Sequence, residues 1–254
     1  VTDEQDPMVG EWLAEQFPEG TIPMEIIDHK VIFRGYEEHI PTFNSIAIES
    51  MTWRIPGLSE HYIEFNDDLI LGAPTRPEDF FPTEGSVLCY GKRRSSWPVR
   101  LSRMLKYRMN KPKQVSFKES MLNAAEVADP HRNFIMLYHT PKARLRSVYE
   151  RFYADTPDAL LRNITHRFRH ATQYNPEEVH YLMLADEGRC TITDATKEHF
   201  YFMAKPDMRY IRRKLELFTQ HKNKKFGCFN SLDQAPEEGQ KMVIEWIERR
   251  LGLR

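Results

Sequence analysis

Two adjacent carboxylates are the residues in this sequence whose types and position most directly suggest chemistry. Asp67 and Asp68, with Asn66 before them, follow the apolar stretch 62–65, which we interpret as a strand. Carboxylate oxygens at the carboxyl end of a strand can hold Mg²⁺ or Mn²⁺ against the phosphates of a ligand. An ordinary turn is the alternative, because Asn and Asp are favoured turn formers. The local sequence leaves both open.

A histidine supplies a candidate general base. His139 follows 134–138, which reads as a buried strand, and precedes 143–154, whose apolar spacing predicts a helix. The segment 139–141 is therefore expected on a strand-to-helix connection, a common place for chemistry. An imidazole can remove a proton from a sugar hydroxyl near neutral pH. A purely structural histidine beside proline is the alternative.

Two arginines could recognise phosphate. Arg167 and Arg169 lie in 165–170, where their guanidinium groups could pair with phosphate oxygens in bidentate geometry. The solvated face of a helix is the competing interpretation of this stretch.

The stretch 39–45 precedes a helix predicted over 44–53. Asn44 or Ser45 could cap that helix by accepting its free N–H groups, or could contact a ligand, and both can hold at once.

Residues 92–118 form the one strong local charge bias. They contain ten Lys or Arg and no acid, interleaved with large apolar side chains. Such a segment could bind phosphates, an anionic acceptor or an anionic membrane surface, with solvated basic surface as the default. Over the whole chain 36 Lys and Arg nearly cancel 37 Asp and Glu, which argues against dedicated nucleic-acid binding.

The elements around these residues predict an α/β protein. The chain has 254 residues, 41% of them hydrophobic, which suits a soluble globular protein with a packed core. Apolar spacing predicts the remaining clear elements, which are a helix over 9–17, a strand over 24–28 and a helix over 236–250.

The cysteines and the termini bear on location. Three scattered cysteines, Cys89, Cys190 and Cys228, suit a reducing compartment and favour the cytoplasm. The chain has no apolar run of the roughly 18–20 residues that span a bilayer, and its beginning lacks the features of a signal peptide.

Several ordered blocks resemble the Stealth family of sugar-1-phosphate transferases, which includes bacterial capsular polysaccharide phosphotransferases and the animal N-acetylglucosamine-1-phosphotransferase. His39-Ile-Pro-Thr-Phe-Asn-Ser-Ile-Ala-Ile-Glu-Ser50 is the longest block. With 54–72 and 77–81 it is similar to the second conserved region of that family. The shorter blocks 139–141 and 167–169 resemble the third region, and Phe226-Gly-Cys-Phe-Asn230 resembles the fourth.

The resemblance implies a fold and a domain. We expect one catalytic α/β domain over 1–254, with a Rossmann-like, GT-A-like nucleotide-sugar-binding sheet and helical additions. Its family-like blocks cover 24–81, 131–175 and 224–235, and 92–118 is a basic insertion. The first conserved region of the family, an aspartate-bearing strand and turn, is absent from the sequence. We therefore expect the first strand and part of the donor site to be missing.

The resemblance also implies a reaction. A sugar hydroxyl attacks the sugar-linked phosphorus of a UDP-sugar, hexose- or N-acetylhexosamine-1-phosphate is transferred, and UMP leaves. The implied partners are the UDP-sugar and an oligo- or polysaccharide acceptor, and the implied cofactor is Mg²⁺ or Mn²⁺. The implied product is a phosphodiester-linked capsular or cell-surface polysaccharide. We expect a cytoplasmic enzyme, and 92–118 is a candidate for peripheral contact with the inner face of the cell membrane.

The family motifs assign roles residue by residue. Asp67 and Asp68 would hold the metal, His139 would be the base, and Arg169 with Arg167 would bind phosphate. The implied contacts to the sugar or the nucleotide are Asn44, Glu49, Asn66 and Asn230. His39 is a weaker candidate for a catalytic or binding role.

Two other functions stay open at this point. One is a metal-dependent GT-A glycosyltransferase that attacks the anomeric carbon and forms a glycosidic bond. The other is a non-catalytic module in which 92–118 binds an anionic glycan, a lipid or a nucleic acid.

Overall fold

Helices and short strands alternate along the chain, and the fold class is mixed α/β. The computed structural model describes residues 1–18, 20, 23–109, 115–129 and 133–253. These residues group into two compact units. The first unit comprises Val1–Glu60, Ser96–Asn133 and Arg146–Val179, and the second comprises His61–Ser95, Phe134–Leu145 and His180–Arg254.

The first unit is helical. Its helices are α1 (Val9–Gln16), α2 (His29–Ile32), α3 (Ser45–Glu49), α4 (Trp97–Arg108), α5 (Phe117–Ala128), α6 (Arg146–Asp155) and α7 (Pro157–Ile164). Side chains cap two of them, since Asp28 accepts from the N–H of Lys30 and Ser116 from that of Glu119. The chain then enters α8 (Pro176–Asp186), within which it passes into the second unit.

The second unit holds all the strands of the described residues. These are β1 (His61–Glu64), β2 (Leu69–Leu71), β3 (Val87–Arg94), β4 (Phe134–Leu137), β5 (Lys142–Leu145), β6 (Cys190–Thr193), β7 (His199–Met203) and β8 (Phe226–Asn230). Helix α9 (Met208–Gln220) lies between β7 and β8 in sequence, and α10 (Glu237–Leu251) follows β8.

The strands form three small sheets. β1 pairs with β5, β8 lies between β2 and β7, and β3 lies between β4 and β6. The pairs β7–β8 and β3–β6 are parallel and the others antiparallel. An aromatic core joins β7 and β8 to α9 and α10, where Phe200, Phe218, Phe229 and Trp246 pack together. This core fixes the strands that carry the site below.

Most of the predicted elements are present. The predicted helix over 9–17 is α1, the strands over 62–65 and 134–138 are β1 and β4, and the last helix is α10. The helix predicted over 44–53 divides into α3 and a short 3₁₀ helix at Thr52–Arg54. Pro236 precedes α10 at its N-cap and is not in its first turn.

The strand predicted over 24–28 is wrong. This segment makes a single parallel bridge, between Thr2 and Asp28, and belongs to no sheet of the described residues. The Asp28 carboxylate caps α2 and also accepts from the N–H of Glu4. The chain therefore turns into a helix at the point where a strand would have continued.

The helix predicted from 143 begins three residues later, at Arg146. Residues Lys142–Leu145 form β5 instead, and all four are buried. The segment 139–141 consequently joins two strands, β4 and β5, and the predicted strand-to-helix connection is wrong.

The basic insertion predicted at 92–118 covers the end of β3, all of α4 and the start of α5. Its residues 110–114 lie outside the described residues, as do 131 and 132 of the block 131–175. Within the described ranges, no helix combines the length and the apolar character needed to cross a membrane.

Candidate functional site

Asp68 lies in the second unit, at the turn that joins β1 to β2. β2 runs antiparallel to β8, with Leu69 opposite Cys228. The backbone carbonyl of Asp68 accepts from the N–H of Phe229 at 2.8 Å, which extends this pairing by one hydrogen bond. The turn is therefore real, and it also fixes the Asp68 carboxylate beside β8.

Three side chains contact the Asp68 carboxylate. His139 Nε2 lies 2.9 Å from Oδ1. Asn230 Nδ2 and Cys228 Sγ donate to Oδ2 at 3.2 and 3.4 Å. An ionised carboxylate offers about four lone-pair sites, so about one of them remains for a further ligand. The structure thus unites Asp68, His139 and Asn230, three residues that the sequence had singled out.

Cys228 is buried in β8, and its thiol is held in the protonated form. Burial and the neighbouring Asp68 carboxylate raise the pKa of the Cys228 thiol well above its usual value. A thiol donates a hydrogen bond but is a poor ligand for Mg²⁺, which prefers oxygen. The role of Cys228 here is to orient Asp68.

A buried lysine holds the segment that carries His139. Lys142, at the start of β5, is 7% exposed. Its Nζ donates to the backbone carbonyl of Thr140 at 2.9 Å and to that of Tyr138. These two carbonyls flank His139 in the chain, so Lys142 fixes the backbone on both sides of the imidazole.

Replacing Lys142 by methionine should therefore destabilise the protein. Methionine keeps most of the volume but leaves the two carbonyls without this donor, at a cost of about 1–3 kcal/mol each. We expect the free energy of unfolding, measured by urea denaturation, to fall by about 2–5 kcal/mol. Lys205→Met, at an exposed lysine, is the control and should change it little. Equal midpoints for the two variants would show that Lys142 does not hold this segment.

His199, on β7, is a second histidine beside this segment. Its ring lies 5.9 Å from that of Tyr138. Burial, with a smaller contribution from the positive charge of Lys142, lowers the pKa of His199 from 6.5 to about 4. His199 is therefore neutral at physiological pH and is a packing residue, not a proton carrier.

This low pKa makes the stability of the fold depend on pH. Below pH 6.5 the unfolded state binds a proton at His199 that the folded state accepts only near pH 4, so unfolding is favoured as the pH falls. The expected loss of unfolding free energy between pH 7 and pH 5 is about 2 kcal/mol. His199→Phe should remove this part of the loss, whereas His221→Gln, at an exposed site, should retain it. Urea denaturation at pH 7 and pH 5 measures the loss of unfolding free energy in each variant. An unchanged loss in His199→Phe would contradict the assignment of this pH dependence to His199.

The predicted phosphate-binding arginines lie in the first unit, in a loop after α7 and not on a helix face as the alternative held. This loop is tied to the segment before α3. The backbone N–H of Phe43 donates to the carbonyl of Arg167 at 3.0 Å, and Asn44 Nδ2 donates to that of His166 at 2.9 Å. Arg169 Nη2 donates to Ser45 Oγ at 2.8 Å.

The same junction carries two exposed aromatic rings. Phe43 and Phe168 stack at 5.7 Å, and the Arg167 guanidinium lies 5.2 Å from the centre of the Phe43 ring. Asn44 is the N-cap residue of α3, but its side chain makes no capping hydrogen bond. Its amide instead joins two segments that are far apart in the chain.

The other predicted site residues lie outside the Asp68 cluster. Asp67 is exposed and Asn66 is half-buried. In the first unit, Glu49 is half-buried at the end of α3. His39 Nε2 lies 3.6 Å from Glu38 Oε1, and its ring stacks on Tyr36.

Sequence reasoning missed three members of the site. Cys228 was part of a matching block but carried no predicted role, and Lys142 and His199 were not considered. The sequence of β5, Lys-Ala-Arg-Leu, carries no signal that its lysine is buried, because charged residues are mostly exposed.

The cluster around Asp68 can be tested against the ligands that a divalent cation needs. Asp68, His139 and Cys228 place one ligand atom each within 4.8 Å of one another. The protonated thiol makes a three-residue site unsuitable for Mg²⁺. Mg²⁺ is, however, often held by one or two carboxylates together with substrate phosphates. Asp68, with its remaining lone pair, and the exposed Asp67 fit that second arrangement.

Comparison with known proteins places this chain in a family. Residues 1–88 match the family model described as Stealth protein CR2, conserved region 2. This range includes the longest block and the turn that carries Asp67 and Asp68.

Curated relatives agree with this match. An exopolysaccharide phosphotransferase of Streptomyces coelicolor is 30% identical over 91% of this chain and 36% of its own length. One of Nocardia farcinica is 32% identical over 95% of this chain and 45% of its own. A capsular polysaccharide phosphotransferase of Streptococcus pneumoniae is 41% identical over 34% of this chain and 23% of its own. The chain spans less than half the length of each of these relatives. The family match and the relatives together show that this chain belongs to the Stealth family.

Proposed function

We propose that this chain is the part of a sugar-1-phosphate transferase that holds the catalytic base. The reaction would move a hexose- or N-acetylhexosamine-1-phosphate from a UDP-sugar to a hydroxyl of a growing polysaccharide. One observation carries the proposal: His139 and Asp68 lie 2.9 Å apart in a chain whose relatives are named polysaccharide phosphotransferases. The cytoplasmic location stays a prediction.

The histidine pairs with the carboxylate in the way that a general base requires. With the proton on Nε2 donated to Asp68 Oδ1, Nδ1 carries the lone pair that accepts the proton of the acceptor hydroxyl. The Asp68 charge stabilises the imidazolium that forms. Asn230 and Cys228 hold the carboxylate from its other oxygen, so its direction is fixed before substrate binds.

The remaining steps concern phosphorus. The acceptor oxygen forms a bond to the sugar-linked phosphorus, and the bond from that phosphorus to the bridging oxygen of the pyrophosphate breaks, so UMP leaves. Arg167 and Arg169 would bind the phosphate oxygens, since guanidinium groups match them in bidentate geometry. Asp67 and Asp68 would hold Mg²⁺ or Mn²⁺, which supplies neutralisation of the pyrophosphate charge.

Contacts to the sugar or nucleotide complete the proposal. Asn66 and Asn230 in the second unit, and Asn44 and Glu49 in the first, are amide and carboxylate side chains suited to sugar hydroxyls. His39 is a weaker candidate for a catalytic or binding role.

The nucleotide product separates this proposal from its rivals. The whole protein is incubated with UDP-glucose or UDP-N-acetylglucosamine, Mg²⁺ and the polysaccharide acceptor, and the nucleotides are resolved by anion-exchange chromatography. Sugar-1-phosphate transfer releases UMP, whereas a glycosyltransferase releases UDP. Acceptor-dependent UMP that disappears with EDTA is the expected result. UDP as the sole product would contradict the proposal.

A further inference from the structure

Helix α4 of the first unit turns apolar side chains outward. None of its 12 residues is buried. Trp97, Leu101, Met104 and Leu105 recur at positions i, i+4, i+7 and i+8, which places them along one side of the helix. Trp97, Met104 and Leu105 are 67%, 45% and 48% exposed. We call these four residues, with Arg108 one turn further on, the α4 stripe.

The opposite side of α4 contacts α5, and it does so through charge. The Arg103 guanidinium donates to Glu119 at 2.7 and 2.9 Å, to Glu126 at 2.9 and 3.1 Å and to Asn123 at 2.9 Å. Arg103 projects about 150° around the helix from the centre of the stripe, at 100° per residue. A helix normally buries its apolar side and exposes its charges, and α4 does the reverse.

The charge of α4 favours an anionic surface. The helix carries Arg100, Arg103, Lys106 and Arg108 and no acidic residue. Arg103 is neutralised by the glutamates of α5. Arg108, in contrast, is exposed and lies on the stripe itself, since it follows Trp97 by 11 residues, close to three helical turns. Apolar and cationic groups thus point in the same direction.

We propose that the α4 stripe docks this protein on an anionic lipid bilayer, with α4 lying in the interface. Its length, about 18 Å, is too short to span a bilayer but suits a helix that lies parallel to the surface. Trp97, which is 67% exposed on the stripe, is of the aromatic types that favour the interface. A protein partner would need a surface that matches the shape of the α4 stripe. A bilayer has no such requirement, because its acyl chains accept apolar side chains of any shape and its anionic headgroups attract the basic ones.

This binding goes beyond the proposed transfer reaction and is independent of it. The α4 stripe shares no residue with the Asp68 cluster. The two proposals can therefore fail separately.

Flotation with lipid vesicles tests the docking. The whole protein is mixed with vesicles of phosphatidylcholine alone, or of phosphatidylcholine with phosphatidylglycerol. We expect binding to the second kind, weakened at high salt because the charge contribution is screened. Met104→Glu with Leu105→Glu should abolish binding. Arg108→Glu should weaken it by about tenfold or more, because each basic residue near such a surface contributes about 1 kcal/mol.

A matched control keeps the test specific. Ile244→Glu changes an equally exposed apolar residue on α10, 47% against 48% for Leu105, and should bind vesicles as the unchanged protein does. All variants should retain circular dichroism and UMP release with a soluble acceptor. No binding to anionic vesicles, or full binding by the double variant, would overturn the proposal. Dimerisation that depends on the stripe, without vesicle binding, would assign the surface to a second copy of the chain instead.

Discussion

Replacing His139 by alanine in the whole protein should lower kcat by about two to four orders of magnitude, which is the usual contribution of a general base. The acceptor hydroxyl would then lose its proton only to water. The side chain of His139 is 38% exposed, so its removal should leave the free energy of unfolding nearly unchanged. Initial rates of UMP release measure the effect.

Two controls separate a base from a structural histidine. Added imidazole should restore part of the rate of His139→Ala, because a free imidazole can occupy the space and accept the proton. His221→Ala, at an exposed histidine in the same unit, should keep the full rate. A His139→Ala protein with wild-type kcat would show that another group takes the proton.

Replacing Asp68 by asparagine should lower kcat by at least about a thousandfold. The amide keeps the shape of the carboxylate but loses its charge. Its NH₂ group can donate to His139 Nε2, which places the imidazole proton on Nδ1 and removes the lone pair that faces the acceptor. The same change would also remove one of the two proposed ligands of the cation.

Asp67→Asn distinguishes these two consequences. Asp67 is exposed and lies outside the cluster around His139, so it cannot affect the tautomer of the imidazole directly. If both carboxylates hold the cation, this variant should need more Mg²⁺ for half-maximal rate and recover much of its kcat at saturating Mg²⁺. Asp68→Asn should not recover. Recovery of Asp68→Asn by Mg²⁺ alone would contradict its role in orienting His139.

The sequence singled out His139 and Asp68 as candidates but did not predict that they touch. His139 and Asp68 are 71 residues apart and meet because β2 pairs with β8 and the β4–β5 connection brings the imidazole to the same place. Periodicity within a segment cannot predict such pairing between segments. The family-like blocks supplied the candidates, and only the fold shows which of them touch.

The errors in the predicted elements have physical causes. Strand β5 is only four residues long, two of them charged, and its last residue, Leu145, fits the period of the helix that follows. The segment 24–28 is apolar enough for a strand, but Asp28 is used as a helix cap. In both cases the error lies at the boundary with a neighbouring helix, which is α6 for β5 and α2 for the segment 24–28.

Buried polar residues were the hardest to foresee. Lys142 and His199 are common surface types, and the sequence does not show that their partners are a pair of backbone carbonyls and a neighbouring ring. Lys142 ties the loop that carries His139 to β5 through the Tyr138 and Thr140 carbonyls.

Phosphorus NMR of the purified polymer tests the central claim most directly. The whole protein elongates the acceptor with a UDP-sugar, and the product is freed of nucleotides before the spectrum is recorded. We expect a phosphodiester signal that grows with the amount of UMP released and is absent from the His139→Ala product. An elongated polymer without phosphorus in its new linkages would contradict it.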